Sequence, residues 1–228
     1  MKTLNALLLS FVVLFAACNS SQSENKVEAT NAESVDTTAN AAPAGAAFVV
    51  QKDRSVINWK GSNKFTPKAH AGTLLFSDGS FTSTDGQVTA GKFTADMNSM
   101  TSAGDEYTGG AAKVGDLIGH LKSADFFDVA NFPNAAFEIT SIAVVADQPG
   151  VTHNVTGNLT IKGITKSVTF PANVTVAGNE LTAIATFTID RSQWEVKYGS
   201  ETFFLDLAKD KLIKNEIELG LNVVAVQG

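Results

Sequence analysis

The chain of 228 residues has one cysteine, three histidines, five prolines, two tryptophans and two tyrosines. A single cysteine excludes an internal disulfide and a four-cysteine zinc site. His70, His120 and His153 lie far apart in sequence and form no i, i+2 or i, i+4 pair, so no local metal-binding motif is present. Positive charge is scarce as well. Seventeen Lys and Arg stand against 23 Asp and Glu, with a net charge of −6. That balance argues against nucleic acid as a partner, which needs a basic face. No apolar run reaches the roughly 20 residues of a membrane-spanning helix. Nucleophile elbows, phosphate-cradling loops and zincin motifs are absent from the sequence. What is present, 44% hydrophobic and 18% charged residues, suits a globular domain.

The first 17 residues read as an address. Met1-Lys2-Thr3 is a short positive start, and Leu4 to Ala17 is an apolar run broken only by Asn5 and Ser10. Its length fits a signal peptide. The run ends at Phe15-Ala16-Ala17-Cys18, which resembles a bacterial lipobox, with Phe15 where leucine is usual. The resemblance implies cleavage before Cys18 and lipid on its sulfur, and two or more acyl chains hold a protein firmly to a bilayer. Removing Lys2 with the leader leaves 16 basic residues against 23 acidic, a charge of −7. An acidic domain gains nothing from an anionic surface, so the anchor alone is expected to hold it. Residues 18–47 carry no aromatic residue and no lasting apolar period, and read as a disordered tether. As a flexible coil, the tract after Cys18 reaches about 30 Å.

From Phe48 to Gly228 the pattern is one of strands. Leu181, Ala183, Ala185, Phe187 and Ile189 alternate with mostly polar residues, as do Ile217, Leu219, Leu221, Val223 and Ala225. Val168, Phe170, Ala172, Val174 and Val176 share a face interrupted by Pro171, which belongs at an edge or bulge. Lys162-Gly163 is a hairpin turn between 155–161 and 164–176. Further strands are expected near 48–60, 72–83, 86–98 and 135–145. Ala111 to Ala124 breaks the pattern: Val114, Leu117, Ile118 and Leu121 recur at helical spacing. About eight antiparallel strands and one short helix define an all-β fold, a closed or nearly closed barrel able to hold one small ligand. Alternation by itself fits a solid-cored sandwich equally well.

Three blocks carry a specific likeness. His120-Leu121-Lys122-Ser123-Ala124-Asp125-Phe126-Phe127-Asp128-Val129, with Phe132-Pro133 and Ala136-Phe137-Glu138-Ile139, is the first. Val155 to Lys166 and Phe187 to Trp194 are the others. Together they resemble the YceI-like family over about Val50 to Ala225. Asp96 to Met100 and Lys197 to Ser200 look like the subgroup found as lipoproteins in Bacteroidetes-type bacteria. The resemblance implies an extended, lipocalin-like antiparallel β-barrel with a hydrophobic tunnel, secreted to the periplasm. Some members of that family hold a polyisoprenoid or similar amphiphile, and enzymatic activity is no part of the pattern.

The expected function is therefore a lipid-anchored, periplasm-facing binding protein of the bacterial envelope, carrying or storing an isoprenoid or other long-chain amphiphile. The alternative is a structural or stress-related protein with a filled barrel. A redox carrier is the remote third reading, its chemistry belonging wholly to a bound quinone. No cofactor is required, and an isoprenoid lipid or quinone is what a tunnel would hold. Candidate lining residues are Phe137, Ile139, Leu159, Ile161, Phe170, Val174, Phe187, Ile189, Leu219, Leu221 and Val223. His120 and Arg191 are candidates for a polar rim, Arg191 as an ion-pair partner of Asp190 or a head-group contact. No catalytic or metal-binding residue is expected.

Overall fold

A computed structural model describes residues 25–35, 45–66, 68–103 and 110–228. The leader and Cys18 lie outside the described residues. The strands, in chain order, are β1 (Thr30–Asn31), β2 (Ala46–Val50), β3 (Val56–Asn63), β4 (Ala69–Thr84) and β5 (Gln87–Asp96). They continue with β6 (Asn134–Val144), β7 (His153–Ile161), β8 (Ile164–Ala177), β9 (Glu180–Asp190) and β10 (Ile213–Gln227). Helix α1 spans Gly110–Lys122.

Strands β3 to β10 form a closed antiparallel barrel. Each pairs with the next in sequence, and β10 returns to β3 through Ile217↔Gly61, Leu219↔Trp59 and Leu221↔Ile57. β2 continues the line of β3 and sits between β10 and β4 at one end, through Val50↔Ala225 and Phe48↔Phe81. The expected strands are present, except that the one expected near 48–60 is two, β2 and β3, separated by a turn at Lys52–Arg54. The β7–β8 turn has Lys162 and Gly163 both at positive φ, 51° and 74°, the backbone twist that a tight two-residue hairpin requires. At Gly157 a side chain would collide with the Phe137 ring and the Glu138 carbonyl, so glycine lets β6 and β7 approach there.

Two seams are incomplete: β5 and β6 pair only from Lys92↔Glu138 to Asp96↔Asn134, and β8 and β9 part toward the other end of the barrel. β8 and β9 pair only from Ala172↔Ala185 to Ala177↔Glu180. The Ala172 carbonyl accepts from Thr152 N on the β7 side at 3.0 Å, so the neighbouring Pro171 directs its backbone toward β9. Proline has no N–H to give, and the ladder ends at that point. Beyond it the two strands part, leaving bonding edges on both.

Residues 25–35 occupy this opening, which corrects the reading of residues 18–47 as wholly unstructured. Thr188 N donates to Asn25 O at 2.9 Å and Val27 N donates to Thr188 O at 2.8 Å. β1 then pairs with β8 through Thr30↔Ser167 and Asn31↔Lys166. Beyond it, Glu33 N donates to Asn158 Oδ1 at 2.9 Å and Asn158 Nδ2 donates to Glu33 O at 2.8 Å. Val27 is buried against the core. The strap is held because two strand edges needed partners, a demand set more than 100 residues away.

Candidate binding cavity

The barrel is hollow. A cavity of about 560 Å³ runs inside it, within the roughly 300–1,000 Å³ typical of ligand pockets. A side-chain-packed interior is therefore not what this sequence builds. Its wall is made by inward-facing residues of nearly every strand. All eleven lining candidates, from Phe137 on β6 to Val223 on β10, lie on it. A belt of rings crosses the middle: Phe170 and Phe187 stack at 4.2 Å, Phe137 meets Phe170 at 5.5 Å, and Phe81 meets Phe93 edge-on at 4.7 Å.

Alternation alone did not find the β3–β5 side of the wall. Ile57, Trp59, Leu74, Phe76, Phe81, Phe93 and Ala95 line the cavity too. On β4 a register shift between Phe76 and Asp78 moves the inward face from even to odd positions, so Leu74, Phe76 and Phe81 all point in. A second shift between Ile139 and Ser141 moves the inward face of β6 from odd to even positions and turns Ile142 inward. Helix α1, expected over 111–124, contributes Leu117 and Leu121, and Met97 and Met100 come from the turn after β5.

The two ends differ. Phe48, Val50, Val88, Leu181 and Ala225 are buried at the β2 end and lie outside the cavity lining. They plug that end. Among the described residues, every polar wall residue is at the other end, including Ser62, Asn63, Lys68, His70, Asp210, Lys211 and Lys214. That end is the mouth.

His120 and Arg191 both face the cavity near the mouth, in different states. The His120 ring meets Tyr198 at 4.4 Å and Phe126 at 5.4 Å, both edge-on, and its Nε2 is 3.9 Å from Asp125 Oδ2. Arg191 is buried rather than on an open rim. Its Nε donates to Lys214 O at 3.1 Å, Nη1 to Val196 O at 2.5 Å and Nη2 to Ile213 O at 3.4 Å. Its guanidinium carbon lies 5.5 Å from the Phe126 ring centre. Asp190 is not its ion-pair partner. That carboxylate instead accepts from Ser192 N at 2.9 Å and Ser192 Oγ at 2.6 Å, capping the turn after β9. Desolvation pushes the Arg191 pKa down to about 10, against the pull of Asp190 and Glu216. It stays charged at neutral pH and ties β9 to the start of β10. His153 is far from both, with Nδ1 2.8 Å from Thr152 Oγ1, and burial lowers its pKa. Among the described residues no cluster of three metal-ligating side chains occurs.

The family model of the YceI-like domain matches residues 48–225. This chain belongs to the YceI-like family. A Pseudomonas putida UPF0312 protein is 32% identical over 124 residues, 54% of this chain and 58% of that protein. Protein YceI of Salmonella newport is 43% identical over 61 residues, 27% of this chain and 30% of that protein. The matched stretch thus spans little over half of the former relative and under a third of the latter. Burkholderia cenocepacia BcnA has the same fold, with a TM-score of 0.55 at 23% identity over 78% of this chain and 99% of that one. So does a polyisoprenoid binding domain from Saccharophagus degradans implicated in plant cell wall breakdown, with a TM-score of 0.55 at 18% identity over 80% of this chain and 99% of that domain. The YceI-like barrel is thus shown by sequence and by fold.

Proposed function

We propose that this YceI-like protein binds a long-chain amphiphile, tail inward, inside its barrel, and is held by an acylated Cys18 at a bacterial membrane facing the periplasm. The observation that carries the reading is a cavity apolar along its length, plugged at one end and polar only at the other. Such a shape accepts a hydrocarbon tail and leaves a head group at the mouth. A methylene is about the size of a water molecule, about 30 Å³, so the cavity takes about twenty chain carbons, or four prenyl units. Each buried methylene contributes about 0.8 kcal/mol, part of which offsets the ordering of the tail. The polyisoprenoid named for the Saccharophagus relative is of this chemical class, and a prenylated quinone fits it as well. Catalysis is no part of the reading, which rests on the apolar cavity, and Arg191 is held in place by three carbonyls.

The test is purification without detergent, followed by organic extraction and mass spectrometry. A long-chain lipid near one per protein is expected. Its repeated absence from such preparations would sink the reading. Anchoring is checked separately, on membranes washed at high salt: Cys18→Ser moves the protein to the soluble fraction, and a variant still on the washed membrane would show that no lipid on Cys18 holds it.

A further inference from the structure

We infer that the mouth of the barrel is a membrane-docking surface, and that its partner is the face of a bilayer carrying anionic head groups. Three independent features meet at this end.

The first is apolar and exposed. Leu205 is 90% exposed and Phe65 53% exposed, and Phe203, Phe204 and Tyr198 also stand open to solvent. They lie on the loops that frame the mouth, since Lys64 N donates to Leu212 O at 2.8 Å and Tyr198 and Lys211 line the cavity. Exposed aromatic and leucine side chains grouped on loop tips suit the water–lipid boundary.

The second is charge. Residues 62–66, 68–70 and 197–214 carry six lysines against three acids, whereas the rest of the chain carries eleven basic residues against twenty acidic. Among the described residues Lys68, Lys211 and Lys214 make no ion pair. Lys64 and Lys209 lie 5.6 and 5.7 Å from the centre of the Phe65 ring, and Lys197 lies 5.0 Å from that of Phe203. Lysines beside exposed rings let the ring enter the lipid while the ammonium stays at head-group level. The acidic net charge of the whole chain hides this local excess.

The third is position. The strap enters the fold at Asn25, on Thr188, and Lys26 Nζ lies 2.9 Å from Glu216 Oε1, one residue from the Ile217↔Gly61 pair at the mouth. Cys18 is seven residues before Asn25, so a lipid on it lies within about 25 Å of Asn25 even with the chain fully extended. Thr188 to Leu181, one of the plug residues, spans about 23 Å along β9, so the reach of the anchor does not by itself choose between the two ends. An acylated Cys18 leaves the mouth within reach of the bilayer, where the tail of a membrane lipid enters without crossing water. The rim composition, and not the anchor, sets the orientation, and the inference stands without the anchoring reading.

The experiment uses residues 18–228 with Cys18→Ser, so that no acyl chain contributes. Binding is measured to vesicles of phosphatidylcholine alone and of phosphatidylcholine with phosphatidylglycerol, and hydrogen exchange is followed on the same vesicles. Binding to the anionic vesicles, with slowed exchange over 197–212 and none at the opposite end, is expected. Phe204→Ser with Leu205→Ser lowers that affinity about tenfold. Lys209→Gln with Lys211→Gln lowers it severalfold, as does salt near 1 M, where the screening length is about 3 Å. Val144→Ser, an equally exposed apolar change at the plugged end, leaves it unchanged. The lysine pair decides the matter if the aromatic pair does not fold. Equal binding to both vesicle types, binding indifferent to both pairs, or self-association of the chain in place of vesicle binding would overturn the inference. Lipid recovered from the cavity is a separate readout, so a loaded barrel that ignores vesicles refutes the docking surface alone.

Discussion

The plugged end and the mouth of this barrel are made from the same strands and obey different physics. At the plugged end β8 and β9 are fully laddered, β2 fills the place beside β10, and Phe48, Leu181 and Ala225 are almost wholly excluded from water. At the mouth the same two strands part after Pro171, a strap fills the gap, and lysines and open aromatic rings frame an apolar hole. One end supplies stability and the other supplies access.

Four changes sharpen or break that contrast. The largest effect is expected at the plug. Phe48→Ala removes a buried ring and costs about 3–5 kcal/mol of stability by chemical denaturation. A cost below 1 kcal/mol would mean that this end is not tightly packed.

Filling the hollow tests the other end. Ala185 lines the cavity, and Ala185→Phe places a ring where a tail would lie. The extracted lipid falls at least about tenfold while stability changes by no more than about 1–3 kcal/mol, the usual cost of an added group in a packed interior. Unchanged lipid content would separate the cavity from the ligand.

Asn158→Ala removes both hydrogen bonds to the Glu33 backbone. The expected cost is about 1–2 kcal/mol, with faster hydrogen exchange confined to residues 25–35. Loss of protection throughout the barrel would mean that the strap is part of the global fold rather than a plug in one seam.

The smallest effect is a pH dependence at the strap. The hydrogen bond to Lys26 holds Glu216 below its ordinary value of 4.5, and that to Glu216 holds Lys26 above 10.5. The carboxylate's contribution is full above 4.5 and is lost as pH falls through its lower folded value. The ammonium's is full below 10.5 and is lost as pH rises through its higher one. Both side chains are more than a third exposed, so the pair contributes about 0.5 kcal/mol at most. Glu216→Gln removes this part of the acid dependence. His153 adds a shallow slope of its own. Its folded pKa lies below 6.5, so stability declines as pH drops past 6.5 and levels off once the folded imidazole is protonated too.

Much of the wall was legible because side-chain direction in a strand is local. Phe187 and Ile189 face inward for the same reason that Thr188 does not: successive residues point to opposite faces. Phe76 and Phe81 escaped because one inserted residue between them reverses the count: Ser77-Asp78-Gly79 has the composition of a turn, yet the strand bulges there and runs on. The strap escaped for a different reason. Asn25 to Val35 contains one buried apolar residue, Val27, and no period, so nothing within it marks a partner. Its place follows from the proline at 171.

The sequence by itself determined which residues alternate, where a helix interrupts them, and which three blocks mark the family. These are properties of neighbours along the chain. Only the tertiary structure decided that the alternating faces enclose a space instead of filling one another. That depends on the number of strands closing the ring and on their stagger, which set its radius. It likewise decided that six lysines and a handful of exposed rings, spread over 150 positions, would surround one opening, because charge that cancels along a chain need not cancel in space.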